Sequence, residues 1–560
     1  MNWPAYLHDQ LPLLLVISPL IGYLVTHAAA CFEPQLTRYF AIANSVCTLL
    51  LFILVAWQYG RDIASDQAFV RTFQASQSTA DGSVASWNSI QERLDRRRVD
   101  WQARQWFVAD GTNLWPSFFL IAVTALIVWQ ARDSISLIPL VMVFESTSLC
   151  ALLSYDLRVF LLTSAISAVL LTSIIGVYGG TNRRSLAGRF LVSQLCSQVL
   201  VLLGMAMLIV GVPWMKMEDS PTLPHISWNI AGLVYEIQKW TGRNELSLHY
   251  SHAVFPWMLL LLSLGFMIQA GLFPFHSCQV KLLSESHPCV SLLYLASPMS
   301  IAAAGWLRFV LPLAPVLLAD FAEVIFVLSV GGAIVSSMQG LRTTGPRRQT
   351  AFVFVGCCSL SLLGCYVFSS VGISSGWLML QQLTVTLCAS TLWFDVKWFD
   401  VTIQAQDGSG DAGEVTERTD RSRKILLFFS IAALGQFASG SIILAELLRA
   451  NLFVLGAVCL SAGLVLFTAF SVMTGRLATS KTHVRHGNPP TNADIPWLQG
   501  TAMPMLLMAA AVNLCPQLLL IQCEPEVSRI FREFEQDSEV QSVAVQTSND
   551  VTDVTKSPSR

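Results

Sequence analysis

Gly265-Phe266-Met267-Ile268-Gln269-Ala270-Gly271-Leu272-Phe273-Pro274-Phe275-His276 is the stretch from which the fold is read. An apolar run of membrane length ends there on a proline flanked by aromatic residues. Polar groups follow at once: His276, Lys281, Glu285 and His287. A proline removes one backbone donor and disturbs the turn before it. Within a bilayer such a break persists only where protein or a water-filled cavity satisfies the freed carbonyls. Ionisable groups just beyond it are the usual mark of an ion path; the same residues also suit a helix that simply ends at the water interface. With Pro274 near one end and Pro288 near the other, the segment from Phe273 to Ser291 is expected to be broken rather than one continuous helix.

Composition sets the class around that stretch. Of 560 residues, 53% are hydrophobic and 12% charged, the latter roughly half the share of an average soluble domain. This is the make-up of a polytopic, all-α membrane protein embedded in lipid. A net charge of -2 gives no support to a nucleic-acid partner. Most of the thirteen cysteines lie singly in apolar runs, as at Cys47, Cys150, Cys196, Cys365, Cys388 and Cys459, Cys357 and Cys358 are adjacent, and no CxxC pair occurs. They read as small packing residues, not as a metal or redox set. The first apolar run is itself long enough to span, so no cleavable signal peptide is expected.

Working outward, runs of about 20 apolar residues fall near 11–30, 39–58, 116–132, 135–154, 158–178, 187–212, 253–274, 288–311, 315–339, 350–371, 374–394, 425–447, 452–474 and 497–521. Fourteen spans are therefore expected. They divide into two N-terminal spans with a polar external loop (1–104), a transmembrane core (105–475), a loop with the last span (476–521) and an acidic tail (522–560). That tail is expected to open as a short surface helix near Val527–Phe534 and then to be disordered. Arginines and lysines concentrate in alternate short loops: Arg38, Arg132, Arg183, Arg184, Arg189, Arg342, Arg347, Arg348, Lys397, Arg423, Lys424, Arg476 and Lys481. Positive-inside bias then puts those loops in the cytoplasm and both termini outside, as in a multi-pass protein of a bacterial-type inner membrane. Arg96-Arg97-Arg98, among Glu92, Asp95 and Asp100, reads as a solvated helix face. Gly408-Ser409-Gly410-Asp411-Ala412-Gly413 spells GxGxxG, but its neighbours form a polar loop without the preceding strand that a dinucleotide fold requires.

Five stretches together carry a family resemblance. Asp110-Gly111-Thr112-Asn113-Leu114 opens the third span. Phe144-Glu145 in the fourth is followed eleven residues later by Asp156-Leu157 at the fifth. Gly176-Val177-Tyr178-Gly179-Gly180 with Arg183-Arg184 precedes the sixth. Leu272 to His276 closes the seventh, and Gly305-Trp306-Leu307-Arg308-Phe309 lies in the eighth. In this order and spacing they resemble the antiporter-like membrane subunits of proton-pumping NADH:quinone oxidoreductase (complex I), the M-type subunit above all, and their relatives in Mrp-type sodium/proton antiporters. Coverage runs from roughly residue 105 to 475. The resemblance implies two inverted five-helix repeats centred on broken helices. It also implies membrane-subunit partners, protons or sodium ions as cargo, and no NADH, flavin or iron–sulfur site in this chain.

The family's relay of buried ionisable groups carries over poorly. Its fifth-span glutamate falls on Ala165, its seventh-span lysine on Gln269 and its eighth-span lysine on Ser300. The eleventh-span histidine falls near Leu383 or Thr384, and the twelfth-span acid lies beside Glu446. The family's Trp-Leu-Pro-Asp-Ala-His after His276 is replaced by Cys278-Gln279-Val280-Lys281-Leu282-Leu283. A buried lysine paired with a glutamate can switch charge state because desolvation and its partner pull in opposite directions; Gln269 and Ser300 cannot. What remains titratable at depth is Glu145, either as a path residue or as a carboxyl hydrogen-bonded to Ser146 or Ser148, with Glu446 as an exit-side group. Asp320 and Glu323 read as interfacial, and His276 as a cap on the broken helix. Candidate path residues are thus Glu145, Glu446, His276, Gln269, Ser300, Lys281 and Glu285. The resemblance implies a membrane-arm subunit associated with coupled proton translocation, its usual relay largely lost. Two alternatives stand beside it: a non-pumping structural paralogue, or a membrane partner in an ion or bicarbonate uptake complex.

Overall fold

A computed structural model describes residues 5–77, 106–131, 136–180, 182–216, 255–311, 315–343, 346–365, 370–407, 438–449 and 495–516, with a few isolated positions such as 228–229. Those residues form an all-α bundle with no strand, only two isolated bridges, Phe107 to Ser154 and Asp156 to Asn229. The helices are α1 (Ala5–Phe32), α2 (Pro34–Gln77), α3 (Leu114–Gln130), α4 (Leu137–Leu153), α5 (Leu157–Tyr178), α6 (Arg183–Lys216), α7 (Phe255–Ala270), α8 (Ser277–Glu285), α9 (Pro288–Ala296), α10 (Pro298–Gly305), α11 (Pro315–Arg342), α12 (Pro346–Cys365), α13 (Ser370–Asp407) and α14 (Ile495–Leu514). A π-helical turn, Trp306–Val310, follows α10, and 438–449 is helical.

Each of the first eleven expected spans finds helix at its position, the twelfth is represented by 438–449, and the fourteenth is α14. The run at 452–474, the Gly408–Gly413 motif, Arg96 to Arg98 and the acidic tail lie outside the described residues. Two helices run past their apolar stretch: α2 continues to Gln77 and α13 to Asp407. Hydropathy marks where lipid is met, whereas a helix continues for as long as its backbone bonds are unbroken, at about 1.5 Å per residue. The eighth span departs from expectation the other way. Instead of one helix it is α9, a kink at Ser297, α10 and a π turn.

Local sequence explains the boundaries. Asp156 caps α5, its carboxylate accepting from the backbone N–H groups of Arg158 and Val159, and satisfies donors that the first helical turn leaves over. His287 caps α9 in the same way toward Cys289, with Pro288 at the first helical position, where its missing N–H costs nothing. Six helices among the described residues are long and apolar enough to cross a membrane. The span Pro288–Val310 is 94% buried, against 28–44% for the other five. It is the axis of the bundle, touched by α3, α4, α5, α7 and α13. Around it α6 and α7 pack closely because Gly265 lets backbones approach: a Cβ there would lie 2.6 Å from Val201 and 3.1 Å from the Ser197 carbonyl. Small residues at such contacts substitute for the hydrophobic driving force that lipid does not provide. Leucines, valines and isoleucines of α1, α2, α5 and α6 are left exposed on the outer faces.

Candidate functional site: two broken spans and an uncharged seam

The deciding stretch breaks as its proline requires. Helix α7 stops at Ala270, four residues before Pro274, the distance at which a proline ring meets the preceding carbonyl. Gly271 turns the chain with φ 65°, a conformation costly for any residue carrying a Cβ. The amide of Leu272 donates back to the Met267 carbonyl at 2.9 Å. Helix α8 starts after His276 and ends at Glu285, and α9 opens at Pro288. In the eighth span Pro298 removes a donor, and Ser297 takes φ -120°, ψ -75° between the two half-helices. The hydroxyl of Ser300 then donates to the Leu295 carbonyl at 3.3 Å across that kink.

Hydroxyls gather where the two half-helices meet. Ser297 donates to Ser148 at 2.6 Å, Ser148 and Ser167 are 2.8 Å apart, and Ser167 and Ser297 3.3 Å. This ring of three serines ties α4, α5 and the kink of the axial span. From it an uncharged seam continues. Ser164 donates to the Gln198 carboxamide oxygen at 3.2 Å, Ser197 to the Gly265 carbonyl at 2.8 Å, and Gln194 to the Gln269 carbonyl at 3.3 Å. Gln269 and Ser300 are both 2% exposed, and Ala165 is half-buried.

Glu145 is 1% exposed on α4, and its Oε1 has no hydrogen-bond partner. Neither neighbouring serine takes it: Ser146 donates to the Val16 carbonyl, and Ser148 belongs to the ring. The alternative of a serine-bound carboxyl is thereby corrected; those hydroxyls have stronger claims on backbone and on each other. His276 is also corrected. It occupies the N-cap position of α8, but its side chain caps nothing; instead Nε2 lies 3.4 Å from Gln339 Oε1. Lys281 is half-buried and Glu285 exposed, both on α8. Glu446 pairs with Arg449 at 3.2 Å. Leu383 and Thr384 are buried, and Thr384 bonds only the Gln381 carbonyl. Asp320 and Glu323 lie in α11, their side chains outside the described residues. No group of metal-ligating side chains occurs among the described residues.

Sequence reading treated Asp110 and Arg308 as separate motif markers; the structure makes them one unit. Arg308 Nη2 meets Asp110 Oδ2 at 3.1 Å, and both side chains are 6% exposed or less. Tyr155 donates to the same oxygen at 2.6 Å, Thr112 and the amide of Asn113 bond the other, and Arg308 Nη1 donates to the Leu152 carbonyl at 2.6 Å. Burial alone would push the Asp110 carboxyl up. The Arg308 guanidinium and the bonds from Thr112, Tyr155 and Asn113 outweigh it and hold the group below the usual carboxylate value. Between the halves of the core, an apolar cavity of about 50 Å³ is lined by Phe266, Met267, Met299, Trp306, Trp377 and Leu380 among others.

This architecture has counterparts. Residues 154–397 match the family described as NADH:quinone oxidoreductase/Mrp antiporter, TM. The match takes in the fifth to eleventh spans. The chain is 22% identical over 412 residues to NAD(P)H-quinone oxidoreductase chain 4-3 of a Nostoc species, covering 71% of this chain and 64% of that one. It is 23% identical over 341 residues to chain 4 3 of a Picosynechococcus species, covering 60% and 56%. It thus spans under two thirds of the length of these curated relatives. Among solved structures, a chain of respiratory complex I from Thermus thermophilus superposes with TM-score 0.64 at 16% identity, covering 93% of this chain and 99% of that one. A chain of the Mrp complex from a Dietzia species gives 0.61 at 14%, covering 95% and 99%. A chain of an archaeal membrane-bound sulfane sulfur reductase gives 0.63 at 14%, covering 94% and 99%. At these identities the likeness is one of fold. The segment that matches the family model contains both broken spans. The serine ring is not legible in the sequence: Ser148 reads there only as an alternative partner of Glu145, and Ser167 and Ser297 lie in largely apolar runs.

Proposed function

We propose that this chain is a membrane-arm subunit of a complex-I-like or Mrp-like assembly, and that it does not move protons by a buried lysine–glutamate relay. One observation carries the second half of this reading. Among the described residues no lysine is buried, and the ring and seam at the two breaks are built only of hydroxyls, carboxamides and backbone carbonyls. Such groups can order water but cannot hold or release a proton at neutral pH. Loss of both charges together is the relaxed state, because a single stranded charge at bilayer depth costs at least about 2.5–3.5 kcal/mol on insertion scales. Among the described residues, Glu145 is then the buried carboxyl on which residual conduction would depend, with Glu446 as an exit-side group.

The test is proton flux in inverted vesicles or proteoliposomes holding the assembled complex, for wild type, Glu145→Gln and Gln269→Lys. Flux through this subunit is expected to be small, and abolished by Glu145→Gln. Robust flux that Glu145→Gln leaves untouched overturns the reading.

A further inference from the structure

The break after the seventh span has the make-up of a binding site that the relay reading does not use. We propose that the start of α8, with Gln279, His276 and Lys281, binds a small oxyanion carrying both O⁻ and O–H. The inference stands apart from the membrane-arm reading and survives if that reading fails.

Helix α8 has nine residues, and no side chain caps its N-terminus. The first-turn N–H groups of a helix have no intrahelical acceptor, and the helix dipole places partial positive charge there. That end alone is common to every helix; the side chains around it are what distinguish this one. Gln279 is 4% exposed, and both its amide nitrogen and its carbonyl oxygen lack a hydrogen-bond partner. Its side chain folds back against Gly271, where a Cβ would come within 2.5 Å of its Oε1. The carboxamide is thus held against the turn that leads into its own helix. His276, one turn earlier and also buried, leaves Nδ1 without a partner while Nε2 faces Gln339. Leaving a carboxamide buried and unpaired is costly because its hydrogen bonds to water are lost without replacement, so a partner for it is expected.

Charge decides what kind of partner. Lys281, half-buried, stands two residues after Gln279 on α8. From α12, Arg348 lies over the Phe352 ring that packs edge-on to His276, while Arg347 donates to the Ser286 carbonyl at 3.1 Å at the opposite end of α8. Against these stand Glu285, exposed at the far end of α8, and the exposed His287 beyond it. The helix end, the carboxamide N–H₂ and the cations favour an anion. The free Gln279 carbonyl oxygen asks for a donor on the same ligand. An anion with both O⁻ and O–H meets both demands, as dihydrogen phosphate and hydrogencarbonate do; chloride and nitrate do not.

The experiment uses the assembled complex in nanodiscs of neutral phosphatidylcholine. Binding is read by calorimetry and by hydrogen–deuterium exchange of peptides covering 271–285. Sodium phosphate and sodium hydrogencarbonate are compared with sodium chloride and sodium nitrate, and a parallel sample carries anionic phosphatidylglycerol without added phosphate. Saturable binding and protection with phosphate or hydrogencarbonate alone are expected. Affinity should fall at least tenfold in Gln279→Glu, which keeps shape and adds a repelling charge, and in His276→Leu, with Lys281→Gln showing a smaller loss. Unchanged melting of the Gln279→Glu complex separates lost binding from lost folding. No saturable binding, equal binding of nitrate, protection by phosphatidylglycerol alone, or wild-type affinity in both variants each overturns the proposal; a site filled only by water gives the first of these.

Discussion

Asp110 and Arg308 show how much one buried pair can fix. Two charges taken out of water recover their desolvation cost only when every remaining donor and acceptor is met. Here Thr112, Asn113, Tyr155 and the Leu152 carbonyl meet them. Removing one partner alone, as in Arg308→Met, is expected to destabilise the fold by about 3–5 kcal/mol, read as a lower unfolding midpoint of the detergent-solubilised complex; a shift of under 1 °C would refute it. The pH dependence follows from sign. The Asp110 carboxyl sits below its unfolded value, so its contribution is complete above the ordinary carboxylate range and is lost as pH falls through the lowered value. Asp110→Asn should therefore be less stable at neutral pH and should flatten the acid limb of the stability curve. Removing a ring hydroxyl is a smaller change. Ser297→Ala should cost about 0.6 kcal/mol, the average for hydrogen bonds between membrane helices, and proton flux should be unaffected if the ring is only a tie.

At the scale of elements, the two breaks have different legibility. Pro274 announced the first, and the helix stops where the ring clash requires. The kink at Ser297 could have been read from Pro298, yet the surrounding run is apolar enough to pass for one span. Gly271 is the position most sensitive to change. Gly271→Ala would place a Cβ at positive φ, for roughly 1–2 kcal/mol, and within 2.5 Å of Gln279. A lower unfolding midpoint, together with faster hydrogen exchange over α8, is the expected outcome. Wild-type exchange there would show that the turn tolerates a side chain.

For the whole molecule, the charge of the short loops predicts both termini outside. Single cysteines introduced at Arg347 and Asp550 in a cysteine-depleted chain should label from the outside at Asp550 only. Labelling at Arg347 but not at Asp550 would invert the topology, and with it the side of the membrane on which α8 lies. The central span, 94% buried, explains why charge here is so sparse. A group at the bundle axis meets neither lipid headgroup nor bulk water, so each must find a partner within the protein or be lost.

Apolar run length determined the class of this protein and the positions of its helices, because only a helix can satisfy its own backbone within lipid. The order and spacing of five motifs carried the family resemblance, and aligning them put Ala165, Gln269 and Ser300 where the resemblance leads one to expect a glutamate and two lysines. Pro274 determined one break. The tertiary structure alone decided that Asp110 meets Arg308 across 198 residues of chain and that Ser148, Ser167 and Ser297 close into a ring. It also decided that Glu145 finds no serine, and that Gln279 is left buried and unpaired. Hydrophobic periodicity says only that a residue is inside; which polar group it faces there depends on how helices distant in sequence cross, and that is settled by packing.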